Sequence, residues 1–327
     1  MRSVSILTAC ILYITLPVSS IFRSIYLPKH FFGALHKRCI RRSPQASTTV
    51  QSNKQSIDDD EQFCSNIDTE NAEALDILVG LATSDKGWTY VGTKLDVAVY
   101  RRFLPAGKFV SAIDALHGGK HACVKSSTVV NASAAAVFQL FADNSRVHEY
   151  NDHIVEVKDI KTFPKSNMKD TIWTKLAWSS TPHYGPFKAR DFFSVVNYRI
   201  LNRQTSSSVP NNSDLESQPQ TGLDTKYIIV NRPAYLSSCP SNSKYVRATV
   251  LLGGNLIEPI NETQSRITMV AQINAGGSAD HPAAAWIANK LCAYGPPTFL
   301  RKIEKAAQKI DQQQQQQRQQ RDQSEHN

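Results

Sequence analysis

After His121 the sequence breaks into strand-like runs, and only one later segment, His281 to Ile310, carries a helical pattern long enough to cover the sheet that such strands would build. Alternating apolar and polar residues predict a hairpin from Trp88 to Val91 and Leu95 to Phe103, turning at Gly92-Thr93. β-Branched residues predict a third strand over His121 to Val130. Asn131 is a good N-cap for a helix over Ala132 to Ala142, and a short helix is expected near Ser145 to Tyr150. Further strands are expected at His153 to Phe163, Lys169 to Trp178, Arg190 to Leu201, Lys226 to Asn231, Tyr245 to Ile257 and Ser265 to Asn274. Ahead of all these, Ala72, Leu75, Leu78, Val79 and Ala82 recur at helical spacing from Thr69 onward. Within the last helix, Pro296 and Pro297 remove two backbone donors and predict an interruption.

The order helix, strands, short helices, strands, long helix is an α+β arrangement. A curled antiparallel sheet of about nine strands closed over by one long C-terminal helix is a helix-grip fold, and such a pair leaves a tunnel between helix and sheet.

The ends of the chain read differently. From Met1 to Ile57 there is no Asp or Glu but there are eight Lys and Arg, which leaves 29 basic and 28 acidic residues for everything beyond Ile57. Eight of the nine net positive charges therefore belong to the leader, and nucleic acid loses its support as a partner of the folded part. Residues 1–21 have the layout of a signal peptide, with Arg2 ahead of an uncharged run from Val4 to Phe22. The alternative is a membrane anchor, against which Thr8, Thr15, Pro17, Ser19 and Ser20 dilute the apolar run. Residues 22–57, basic and Ser/Thr-rich, have a transit-peptide composition, and the two segments together resemble the bipartite plastid presequence of algae with secondary plastids. Residues 58–69 read as an acidic linker, 70–310 as the domain, 202–225 as a disordered insertion within it, and 311–327 as a Gln-rich disordered tail. The six cysteines show neither disulfide nor zinc spacing, and no residues call for a metal or cofactor.

Four segments, taken in order, resemble the StAR-related lipid transfer (START) family. They are Glu149-Tyr150-Asn151, Lys188-Ala189-Arg190-Asp191-Phe192-Phe193, Tyr245 to Ile260 with its glycine turn and Ile-Glu-Pro corner, and Asn274-Ala275-Gly276-Gly277 with Pro282 to Asn289. Asn274 stands where the family usually has Asp, and Tyr150 where Trp is common. The resemblance implies a lipid ligand, contact with a membrane surface during transfer, and Tyr150 and Asn151 among the site residues.

Strand parity nominates the rest of the site. Arg190, Phe192, Ser194, Val196 and Tyr198 share one face, and that face is assigned to the tunnel because it is the more apolar. A guanidinium there must be paired. A lipid phosphate or carboxylate would accept its bidentate hydrogen bonds, and a permanent protein carboxylate would satisfy it equally. Ile267, Met269, Ala271 and Ile273 form one face of the last strand, and Val246, Ala248, Val250 and Leu252 one face of its neighbour. Trp173 and Trp178 lie on opposite faces of one strand, so only one looks inward, and Trp286 on the last helix should face the sheet. The loop Ser179 to Lys188, together with the kinked last helix, is the expected lid, with Tyr184 and Phe187 entering the membrane interface beside Lys188.

The function these residues favour is non-catalytic binding and transfer of a lipid by a monomer that touches membranes transiently. An enzyme of the helix-grip superfamily, such as a cyclase or hydrolase of hydrophobic substrates, would need carboxylates or histidines in the tunnel. A lipid-gated interaction module would use the glutamine tail. The cluster His148, Glu149, Asp152 and His153 fits no metal-ligand spacing.

Overall fold

The computed structural model describes residues 52–104, 121–163, 170–183, 188–202, 225–234, 242–277, 289 and 294–325. Tyr184, Phe187, Trp286 and the insertion at 203–224 lie outside the described residues, as do residues 1–51. Helix α1 (Ser52–Thr83) precedes strands β1 (Thr89–Lys94), β2 (Val97–Phe103) and β3 (Ala122–Val130). Two short helices follow, α2 (Ala134–Ala142) and α3 (Val147–Tyr150). Strands β4 (Glu156–Phe163), β5 (Thr171–Ser180), β6 (Arg190–Asn202), β7 (Thr225–Pro233), β8 (Val246–Asn261) and β9 (Gln264–Asn274) lead to helix α4 (Gly295–Glu325). The strands form one sheet in the order β1-β2-β3-β9-β8-β7-β6-β5-β4, so the chain steps inward from the edge strand β1 to β3, crosses to the far edge at β4 and steps inward again to β9 beside β3. All neighbours in that order are antiparallel. Where β7 stops at Pro233, which has no backbone N–H, the beginnings of β6 and β8 pair directly and in parallel.

Both faces of the sheet are covered. On the concave face, Phe299, Leu300, Ile303, Ala306, Ala307 and Ile310 of α4 pack with α2 and with the inward residues of β2 through β9. On the other face, Ala74, Leu78 and Leu81 of α1 pack against Ile228, Val230, Leu252, Leu256 and Val270. At Gly254 a Cβ would stand 2.4 Å from Leu78 Cδ2 and 2.1 Å from the Ile229 carbonyl oxygen. Glycine is what lets the helix sit down on β8 there.

Ion pairs fix α4 at both flanks. Arg301 donates to the carbonyl of Leu95 at 2.8 Å, to Thr128 Oγ1 at 2.9 Å and to Glu304 Oε2 at 2.6 Å. On the opposite flank Lys302 pairs with Asp152, and Arg146 joins Glu149 at 2.6 Å while reaching the Ala306 carbonyl at 3.5 Å. Glu149 and Asp152 thus hold the covering helix in place.

Several expected boundaries shift for identifiable reasons. The hairpin turns at Leu95-Asp96, both at positive φ, and Gly92 lies beside a bulge instead of in the turn. The cap of α2 is Ser133, whose Oγ accepts from Ala136 N at 3.1 Å, while the Asn131 amide N–H donates to Glu304. Helix α1 runs through the expected linker at 58–69, and Phe63 and Ile67 already pack on the sheet. The glycine turn expected in β8 is continuous strand. Pro296 and Pro297 sit in the first turn of α4, where missing N–H groups cost nothing. Helix α4 begins at Gly295 after a turn at Tyr294, so the expected interruption falls at its start, and residues 281–288 and 290–293 lie outside the described residues. The glutamine run expected to be disordered continues that helix, in keeping with the good helix propensity of Gln.

Candidate functional site

The concave face can be read as rows of residues paired across the strands. One row runs Thr128, Ile267, Ile257, Tyr227, Ile200. The next runs Ser126, Met269, Asn255, Ile229, Tyr198, Trp173, and the third Val124, Ala271, Gly253, Asn231, Val196, Lys175. Beyond them Asp159, Ala177 and Ser194 face one another across β4, β5 and β6. The β3 and β9 ends of these rows are mostly aliphatic, whereas the β4, β5 and β6 ends carry Asp159, Lys175, Ser194 and Tyr198.

At that polar end Lys175 Nζ lies 3.3 Å from Asp159 Oδ2 and 5.6 Å from the ring centres of both Trp173 and Tyr198. Removal from water lowers the Lys175 pKa and raises that of Asp159, each shift opposed by the attraction between them. Burial holds the Tyr198 phenol well above its ordinary pKa, with Asp159 adding to the effect, so Tyr198 is a neutral hydroxyl. Phe138 of α2 caps the group, edge-on to Tyr198 at 6.2 Å and stacked on Tyr227 at 4.6 Å.

The nominated residues Phe192, Val196, Val250, Met269 and Tyr150 lie in one buried cluster, with Trp173 packed against it. Trp173 is therefore the inward tryptophan, and Trp178 points away, donating to Asp191 Oδ2 at 3.2 Å. Leu252 does not share the face of Val250. A bulge between them shifts the register, and Leu252 packs under α1. Tyr150 bridges Phe141 and Phe299 edge-on at 5.7 and 5.9 Å, and Asn151 is a turn residue whose Oδ1 accepts from His153 N at 2.9 Å. Arg190 is buried at the start of β6. The acceptors described for its guanidinium are the carbonyls of Lys188 at 2.5 Å and Ala275 at 3.5 Å. Its neighbour Asp191, on the other face, receives two hydrogen bonds from Arg247, at 2.9 and 2.8 Å. Gly276, with φ +67°, turns the chain so close to Arg247 that a Cβ would lie 2.2 Å from its carbonyl oxygen. Asn289 Oδ1 accepts from Ala122 N at 2.9 Å and fastens the approach to α4 onto β3.

Sequence reasoning missed Lys175, Asp159, Asn231 and Asn255. The signal for Lys175 was its parity with Trp173 in β5. A separate polar cleft of about 270 Å³ lies beside the start of α2, lined by Ser133, Thr225, Tyr227, Asp311 and Arg318 among others.

A curled antiparallel sheet gripped by one long helix over an apolar face with a buried polar end is a helix-grip fold. The model of the START domain family matches residues 71–313, and the chain belongs to that family, whose members bind lipids. Human StAR-related lipid transfer protein 5 has the same fold at a TM-score of 0.53, with 14% identity over 76% of this chain and 99% of that one. Human STARD10 matches at 0.52, with 16% identity over 84% and 86%. A comparison with curated proteins found no match.

Proposed function

We propose that this protein binds one hydrophobic lipid between the concave face and α4 and carries it between membranes without chemically changing it. The carrying observation is the division of that face into an aliphatic region around Met269, Ile267 and Val250 and a buried polar region around Lys175, Asp159 and Tyr198. An amphipathic ligand aligned along the rows satisfies both regions at once. Each acyl CH₂ buried there gains about 0.8 kcal/mol relative to water, comparable to what it had in a bilayer, so exchange between the two costs little. Arg190 enters this reading as a brace, because its described hydrogen bonds tie the start of β6 to the carbonyl of Ala275 just beyond β9. Direct contact of Arg190 with a headgroup is a weaker reading for the same reason.

In the same proposal the protein acts as a monomer that meets membranes transiently through Tyr184 and Phe187. Residues 1–21 lead it into the secretory pathway, and 22–57 onward to a plastid. Native mass spectrometry of the purified full-length chain, combined with extraction from vesicles of mixed lipids, tests the central claim. A bound lipid at one per chain is expected. Repeated preparations without lipid, together with no extraction, would overturn it.

A further inference from the structure

Asn231 and Asn255 occupy the centre of the concave face on the adjacent strands β7 and β8. Asn231 is paired with Gly253 and Asn255 with Ile229, so the two side chains stand diagonally on the same face, about 7 Å apart. Both residues are fully buried. Among the described residues, neither the amide nitrogen nor the oxygen of either side chain has a hydrogen-bond partner. The hydroxyls of Ser126 and Tyr198, in the same row as Asn255, are buried without a partner in the same sense. Buried polar atoms are almost always satisfied, and a group of them gathered on the face that covers a ligand calls for polar groups on the ligand. No member of this group carries a charge. The nearest cation on the face, Lys175, is already matched by Asp159.

Resting on the lipid-binding reading above, we infer that Asn231 and Asn255 form a two-point subsite for an uncharged lipid bearing both a hydroxyl and an ester or amide carbonyl. The chemistry follows from the carboxamide. Each one donates and accepts, so each matches a hydroxyl in either role, a carbonyl through its NH₂, or an amide N–H through its oxygen. Two such points one diagonal step apart match a lipid backbone in which a hydroxyl and a carbonyl are separated by a few bonds. A sterol, with one hydroxyl at one end, engages one point and leaves the other unsatisfied. A phosphodiester would bring an anion to neutral donors, with its counter-charge already committed to Asp159. Gly253, opposite Asn231, adds no side chain over that point.

The test is extraction by the full-length chain from phosphatidylcholine vesicles doped separately with dioleoylglycerol, N-oleoyl-sphingosine or cholesterol. Variants Asn231→Leu, Asn255→Leu and the pair are compared, with near-UV circular dichroism as the check on folding. Wild type is expected to extract the diacylglycerol or the ceramide at least tenfold more readily than phosphatidylcholine or cholesterol. Each Leu variant should lose tenfold or more of that preference while keeping or raising its melting temperature. Where a Leu variant does not fold, Asn231→Ser and Asn255→Ser, which shorten the polar arm, must show the same loss. Preferred extraction of phosphatidylcholine or cholesterol, or unchanged selectivity in the variants, would overturn the inference and leave lipid binding standing. A wild-type protein that extracts none of the four lipids would instead remove the lipid-binding reading and the inference with it.

Discussion

Lys175 of β5 and Asp159 of β4 are not opposite in register, Lys175 pairing with Thr162 and Asp159 with Ala177, yet Nζ reaches within 3.3 Å of Oδ2. The two share water unequally: the lysine side chain is 1% exposed and the aspartate 20%. Removing the aspartate strands a cation with no route to solvent, whereas removing the lysine leaves a carboxylate that can still be hydrated. Asp159→Asn is therefore expected to cost on the order of 3 kcal/mol, and Lys175→Met about 1 kcal/mol or less. Urea unfolding of the two variants checks the order. Equal losses would mean that the two sites are equally dry.

The same pair dictates how stability should vary with pH. Burial raises the Asp159 pKa above 3.8 and lowers that of Lys175 below 10.5. Between 3.8 and its folded value, Asp159 binds more proton in the folded state, so its contribution to stability falls as pH rises through that window. Between its folded value and 10.5, Lys175 binds more proton in the unfolded state, so its contribution rises with pH. The pair thus contributes least between the two windows. The double variant Asp159→Leu/Lys175→Met should be as stable as wild type or more so near neutrality, and should lose both slopes. Thermal melts across the acid and alkaline windows read this directly.

Gly254 offers a test of how the outer helix is held. A methyl group there would overlap the Ile229 carbonyl oxygen at 2.1 Å as well as Leu78 Cδ2 at 2.4 Å. Gly254→Ala is expected to destabilise by about 1–3 kcal/mol and to speed hydrogen exchange in α1. Adding Leu78→Ala should recover little, because the clash with the carbonyl is with backbone and remains.

The sequence disclosed the inward face of β6 because Phe192, Val196 and Tyr198 alternate there with Asp191 and Arg199, and parity holds along an unbroken strand. Parity failed at Leu252, since a single-residue bulge reverses the face and leaves no mark in composition. In β5 the polar residues were hard to place. Thr174 points toward α1, where it accepts from Asn71 at 3.5 Å and from Asn197 at 2.8 Å, while Lys175 points into the concavity. A strand buried on both faces has no polar side to orient it. Helix α1 began earlier than its apolar spacing suggested because residues that read as a linker already cover the sheet. The Phe63 ring centre lies 5.6 Å from the Arg232 guanidinium, which also bonds Asn71 at 2.9 Å and Glu70 at 2.5 Å. Burial lowers the Arg232 pKa to about 10.

Release of a ligand from under α4 requires the helix to lift from one flank or the other, and the two flanks are fastened differently. Toward the β2–β3 wing, Arg301 reaches Leu95, Thr128 and Val129, at 2.8, 2.9 and 3.3 Å, and Glu304 accepts from the Asn131 backbone N–H at 2.9 Å. Toward α3 the load is divided among Lys302–Asp152, the Arg146 hydrogen bond to the Ala306 carbonyl at 3.5 Å and the Lys309–Glu149 contact at 3.7 Å. Arg301→Met keeps the apolar stem and removes every donor, and at 22% side-chain exposure the loss should be about 1–2 kcal/mol. Lys309→Met, on a side chain 64% exposed, should cost under about 0.5 kcal/mol. Hydrogen exchange should quicken in the first turns of α4 and at the Leu95-Asp96 turn in Arg301→Met, and lipid should leave it several-fold faster. Faster release from Lys309→Met with Arg301→Met unchanged would place the opening at the α3 flank instead.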